Sequence, residues 1–262
     1  MTTPILVLDA GHGLNTAGKQ TISGPLGIIK EWTLNDAVVR KIIELLYNYD
    51  VKIYRTDDVT GKSDLSLGER VRLCNSYNPD LFVSIHHNAG GGTGTEVFWH
   101  TKGTSADKKV ASIVAPKLAS MCGVTNRGVK QAQLGVLACK ATAILVEGGF
   151  MDHKGDYELI TSDYGQKLYA KAVAEAIIEY LGLKKKQEFL NTLDTPQISE
   201  SFKVKITCTE LNIRQSDSFD SKIVGIVRKG EIFTITQESN GLGKLKSGVG
   251  WISLNSKYVK RT

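Results

Sequence analysis

Covalent cross-links are nearly absent from this sequence. Its four cysteines, Cys74, Cys122, Cys139 and Cys208, lie far apart and form no CxxC. That excludes a disulfide framework and a cysteine zinc finger, and predicts buried free thiols from a reducing compartment. No apolar run approaches the roughly 18 residues of a membrane span. The start, Met1-Thr2-Thr3-Pro4, has no basic region before an apolar stretch. A soluble chain made in the cytoplasm without a signal peptide is expected. Proline is scarce (5 residues), and the 26 glycines follow no collagen period. HExxH is missing, which removes a thermolysin-like helix site. Charge excess is missing too over residues 1–182, with 19 basic and 19 acidic residues, whereas residues 203–262 hold 11 basic and 5 acidic residues and carry the whole net charge of +6. A basic segment favours an anionic partner: nucleic acid, anionic lipid or an anionic cell-surface polymer.

What is present reads as two domains. Short apolar runs at residues 5–9, 51–55, 80–88, 95–100 and 143–147 predict buried strands. Helical spacing separates them. Leu34, Val38, Ile42, Leu45, Leu46 and Tyr49 recur three and four apart. Residues 104–121 open on a Thr-x-x-Asp cap signal, with Pro116 expected to kink or shorten the helix. Tyr164, Leu168, Ala172, Ala176, Ile177 and Tyr180 mark a last helix over the region before Gly182. Alternating strands and helices predict an α/β fold, a twisted, mostly parallel sheet with helices on both faces. Residues 183–202 are polar and read as a linker. From 203 the texture is β only, with turn signals such as Lys229-Gly230 and Asn240-Gly241, which predicts a small all-β barrel.

Four residues stand out chemically. His12 lies in Asp9-Ala10-Gly11-His12-Gly13, directly after the first strand, and His86 lies near the end of the third. Taken singly, each histidine fits a structural role. In an open α/β sheet, however, ligands gather at the carboxyl ends of strands, where parallel strands would bring both imidazoles together. Glu31 falls on the inward stripe shared with Leu34 and Val38. An inward carboxylate needs a cation, a donor or neutralisation. Two histidines and a glutamate suit catalytic zinc, although such donors accept other divalent metals. Glu147 ends an apolar strand before Gly148-Gly149. It is either a strand-end ion pair or the general base for a water attacking beside the metal. Residues 13–19 match GxxxxGK, but Gln20 replaces the Ser or Thr of a P-loop and a poor helix former follows.

Together these segments carry a resemblance. DAGHG at 9–13, KEW at 30–32, SIHHNA at 84–89, NRGVK at 126–130 and VEGGFMD at 146–152 resemble the zinc-dependent N-acetylmuramoyl-L-alanine amidases of bacterial cell-wall lysis. The similarity spans about residues 3–182. It implies a six-stranded sheet, zinc held by His12, Glu31 and His86, and Glu147 as catalytic carboxylate. His87, on the opposite face, then reads as structural or as a group that supports a ligand, and Asp9 and Asn88 are candidates to orient the ligands. Glu96, Arg127 and Lys130 are expected to pair at the surface, contact with a peptide stem being the other reading. Leu-Asn-Ile-Arg at 211–214, a turn near Ser218, Val-Gly-Ile-Val-Arg-Lys-Gly at 224–230 and Gly-Trp-Ile-Ser at 250–253 before Tyr258-Val259 give residues 203–261 a resemblance to a bacterial Src-homology-3-like wall-binding domain. In it Phe233, Trp251 and Tyr258 either line a groove or fill the core.

The expected function is therefore peptidoglycan hydrolysis at the cell wall by a phage endolysin or a host autolysin. The expected cofactor is Zn2+. The expected partners are peptidoglycan and, through residues 203–262, anionic wall polymers, with no nucleic acid and no membrane insertion. The alternatives are a zinc peptidase cutting within the stem peptide and a non-catalytic wall-binding protein.

Overall fold

The computed structural model describes residues 2–186 and 201–262. The chain divides into two compact units, Met1–Lys186 and Gln187–Thr262. In the first, six strands form one sheet: β1 (Ile5–Ala10), β2 (Lys52–Arg55), β3 (Leu81–Asn88), β4 (Thr95–His100), β5 (Asn126–Ala132) and β6 (Thr142–Phe150). Their order is β2-β1-β3-β6-β4-β5. Every neighbouring pair is parallel except β4 and β6. Five helices accompany it: α1 (Glu31–Leu46), α2 (Leu67–Tyr77), α3 (Ser105–Cys122), α4 (Lys154–Thr161) and α5 (Asp163–Leu181).

Continuous apolar strands result because both faces of this sheet are buried. Leu6, Leu8 and Ala10 of β1 turn to one face, where Val38, Val114 and Val173 of α1, α3 and α5 meet them. Val7 turns to the other and joins Phe82, Cys74 of α2 and Val136. The order places β1, β3 and β6 side by side, with Ala10 opposite Ile85 and His86 opposite Glu147. Residues at the ends of all three strands thus collect along one edge.

The expected shortening at Pro116 does not occur, for α3 continues 18 residues to Cys122. Thr104 and Asp107 close a capping box at its start. A proline inside a helix costs about 3 kcal/mol. Val110, Val114 and Leu118 are fully buried and each contributes about 1.5–3 kcal/mol, which outweighs that cost. All four cysteines are free. Among the described residues no helix is long and apolar enough to cross a membrane.

Of the stretch 183–202 read as a linker, residues 187–200 lie outside the described residues. Leu183 packs on the core of the first unit, and Lys186 donates its amide to the Asn48 carbonyl. Phe202 opens the second sheet.

That second sheet is all antiparallel. Its strands are β7 (Phe202–Ile206), β8 (Glu210–Arg214), β9 (Ile223–Arg228), β10 (Ile232–Ser239), β11 (Leu242–Leu245), β12 (Trp251–Ser253) and β13 (Val259–Arg261). They are ordered β13-β7-β10-β11-β12-β8-β9. Asn240 and Gly241 adopt φ of 50° and 76°, as a tight β10–β11 hairpin turn demands. Val204, Ile235, Ile252 and Val259 form its core. Trp251 is buried and fills the core, whereas Phe233 and Tyr258 are partly buried against it and Tyr258 also lines a surface cavity with Arg214 and Phe219.

Candidate metal centre

The carboxyl edge of the sheet holds the chemistry. β1 delivers the chain to Gly11 and His12, and His12 takes a left-handed φ of 67°. Gly11 cannot carry a side chain, since a Cβ there would lie 2.0 Å from the His86 ring. Glu31 begins α1 and is 1% exposed. Its Oε1 lies 3.0 Å from His86 Nδ1 and accepts the His87 amide at 3.2 Å. Its Oε2 lies 3.4 Å from His12 Nε2. The two imidazole rings stand 4.9 Å apart, nearly perpendicular at 86°. One ligand atom from each of His12, Glu31 and His86 falls within 4.8 Å of the others. Glu31 Oε2 is buried with no hydrogen-bond partner, and such an oxygen is costly to leave unpaired. Two imidazole nitrogens and an orphaned carboxylate oxygen therefore fit a divalent cation.

The electrostatics favour a metal at Glu31 and His12 but not at His86. There burial opposes protonation, but the hydrogen bond and charge of Glu31 outweigh it and raise the imidazole, so a cation would have to displace that proton. Burial opposes the charge on Glu31, but the hydrogen bond from His86 and the two imidazoles outweigh it and hold the carboxyl at about 2. Burial pushes His12 down to about 4, which keeps it neutral as a metal ligand must be. Glu147 sits opposite His86 in β3 and Glu96 in β4. Burial raises its carboxyl to about 7, and its Oε2 has no partner. That value suits a group that exchanges protons near neutral pH. A cavity of about 440 Å³ is lined by His12, His86 and Glu147 together with the apolar Leu65, Leu134 and Val136.

The structure thus brings together all four residues singled out in the sequence. His87 turns away, donating Nδ1–H to Asn35 Oδ1 at 2.8 Å and packing edge-on against Tyr169. Asn88 bonds Glu96. Asp9 accepts from Thr56, Ser84 and Arg70, and through Arg70 it is linked to the His12 carbonyl. Arg70, which sequence reasoning missed, is 2% exposed. It also donates to the carbonyls of Leu65, Ala10 and His12 and to Asp64. All five guanidinium donors are engaged, and the turn that aims His12 hangs on them. Asn35 was missed as well; it donates to the Gly11 carbonyl and to Glu31. Only its place four residues after Glu31, on the same helix face, marks it. Glu96 does pair with Arg127 and Lys130, but it is buried at 4% exposure rather than superficial.

A mostly parallel α/β sheet with a His–Glu–His cluster at its carboxyl edge defines a candidate metal-dependent hydrolase. The chain belongs to the Amidase_3 family of N-acetylmuramoyl-L-alanine amidases, whose model matches residues 6–179. It is 33% identical over 274 residues to the endolysin of Bacillus phage SPP1, covering 96% of each chain. It is 29% identical to the sporulation-specific N-acetylmuramoyl-L-alanine amidase of Bacillus subtilis, covering 84% of each. Among solved structures it is similar to the catalytic domain of CwlV, an N-acetylmuramoyl-L-alanine amidase of Bacillus (Paenibacillus) polymyxa. The TM-score there is 0.63 at 28% identity, covering 69% of this chain and 99% of that one. The N-acetylmuramoyl-L-alanine amidase of Clostridium difficile 630 gives a TM-score of 0.64 at 26% identity, over 70% of this chain and 98% of that one.

Proposed function

We propose that this chain is a peptidoglycan hydrolase of the endolysin type. It cuts the amide between the lactyl group of N-acetylmuramic acid and L-alanine of the stem peptide. The observation that carries the reading is the buried, unpartnered Glu31 oxygen between His12 and His86, with the Glu147 carboxyl beside them. Family membership and the likeness to a phage endolysin support the choice of substrate.

His12, Glu31 and His86 would hold Zn2+. When bound, zinc polarises a carbonyl and makes water more acidic. Glu147 takes a proton from the attacking water as its oxygen bonds to the carbonyl carbon. As the carbon–nitrogen bond breaks, Glu147 returns that proton to the leaving amine of alanine. Lys19 lies 3.9 Å from Glu31 Oε2 and adds positive charge at the cavity wall. Leu65, Leu134 and Val136 give the cavity an apolar part that disfavours water. Chelation should abolish the clearing of a peptidoglycan suspension, and added Zn2+ should restore it. His12→Ala should lose most of its metal by elemental analysis. Full lysis by metal-free enzyme would overturn the metal assignment.

Residues 1–182 act as the catalytic domain in this reading, and residues 203–262 as a Src-homology-3-like wall-binding barrel joined by the linker. The basic excess of the second domain supports attraction to anionic wall polymers. The Debye length shrinks from about 8 Å at physiological ionic strength to about 3 Å at 1 M salt. Sedimentation of the full chain with cell walls should therefore weaken markedly across that range. Retention unchanged at 1 M salt would show that the charge is incidental to binding.

A further inference from the structure

Beside the proposed catalytic carboxylate stands a pair of cations that the reaction above gives no task. Glu96 faces Glu147 across β4 and β6 and opens onto the same cavity. One oxygen of Glu96 accepts from Asn88 Nδ2 at 2.6 Å. The other accepts from both Arg127 Nε, at 2.8 Å, and Lys130 Nζ. A buried carboxylate needs one cation to offset its charge, and this one has two. The cluster is left with a surplus positive charge.

Residues three apart on a regular strand point to opposite faces. Arg127 and Lys130 reach the same carboxylate because β5 is irregular there. Asn126 pairs with Thr95 and Val129 with Val97, so three residues of β5 span two of β4. Gly128 allows the kink with a φ of 88°. Such bulges re-aim side chains and recur beside active sites. Both side chains are partly exposed, at 34% and 39%. Arg127 lies over the Phe150 ring at 4.9 Å, and Lys130 lies 6.0 Å from the centre of Phe98. Among the described residues, neither cation meets a second carboxylate. With Nε committed to Glu96, the outer edge of the guanidinium is free to fork onto a carboxylate.

The geometry points to Arg127 and Lys130 as a specificity site for a carboxylate of the substrate's stem peptide. This rests on the amidase reading. Its chemistry fixes which side of the scissile bond is meant. The lactyl carboxyl is consumed in the amide and the sugar beside it is neutral, so anionic groups lie on the peptide. Glu147 delivers its proton to the leaving amine, and Glu96 is its neighbour, so the peptide leaves past the cation pair.

The test uses the full chain and two soluble N-acetylmuramoyl peptides that differ only in the residue after L-alanine. In one its α-carboxylate is free, and in the other it is a carboxamide. Wild type should cleave the free carboxylate about tenfold better in kcat/KM, the size of one charge-assisted hydrogen bond. Arg127→Gln and Lys130→Gln should each remove most of that preference by raising KM for the free acid alone. Arg127→Lys should retain part of it. Equal losses on both substrates would mean a merely structural role and would overturn the inference, as would a wild type without preference. Variants whose melting temperature matches wild type make the comparison fair. Failure of wild type to cleave either substrate would sink the amidase reading itself.

Discussion

Glu147→Gln should lower turnover by about 10²–10⁴-fold, the contribution of a positioned acid–base group, with the zinc content of wild type. The substitution keeps the shape of the side chain and removes its ability to carry a proton. Near-wild-type turnover would place the base elsewhere. Stability supplies a second readout with a definite sign. Burial raises the folded carboxyl to about 7, above the ordinary value of roughly 4.3. Between those values the folded state holds a proton that the unfolded state releases, so stability falls as pH rises through the window. The metal-free variant has no such carboxyl. Its melting temperature should exceed that of metal-free wild type at pH 7–8, and the two should converge at about pH 4. A catalytic group held at a cost to the fold behaves in this way.

Arg70→Ala should destabilise the protein by about 3–5 kcal/mol, the cost of leaving one member of a buried ion pair alone. Asp9 is 0% exposed and would keep its charge without a cation. The carbonyls of Ala10 and His12 would lose their donor, so the turn carrying His12 should loosen and metal affinity should fall. The acid limb distinguishes this from a generic core defect. Burial opposes ionisation of Asp9, but Arg70 and Ser84 hold its carboxyl below the usual range. In wild type that stabilisation is present above the unfolded value and fades as pH falls through the folded one. Without Arg70, burial alone acts, and acidification toward pH 4 should relieve the strain rather than add to it. Denaturant unfolding of both proteins at pH 4 and pH 7 measures the difference. A variant as stable as wild type at pH 7 would contradict the role of Arg70.

Strands buried on both faces were legible because their sequences are unbroken apolar runs. β1, β3 and β6 follow that rule, and His12, His86 and Glu147 sit just past or within them. Glu31 was legible for a related reason, as a carboxylate on an inward helical stripe. β5 was not, because an edge strand reading Asn-Arg-Gly-Val-Lys-Gln-Ala has neither alternation nor an apolar run. The start of α2 carried an overlooked signal, the Ser66–Glu69 capping box. Arg70 had none, since its partners come from Asp9, Asp64 and three carbonyls brought close only by folding. Glu96 looked superficial for the same reason. Its burial depends on β4 lying between β5 and β6, an order that local sequence does not encode.

The central claim is hydrolysis of one particular amide by the edge that gathers His12, Glu31, His86 and Glu147. It is tested most directly by digesting purified peptidoglycan with the full chain and identifying the new amino termini. The account predicts new N-terminal L-alanine, no new reducing sugar ends, and neither product when a chelator is present. New termini at any other residue would make the protein a peptidase, and an absence of new termini would make it a binder; either result contradicts the account.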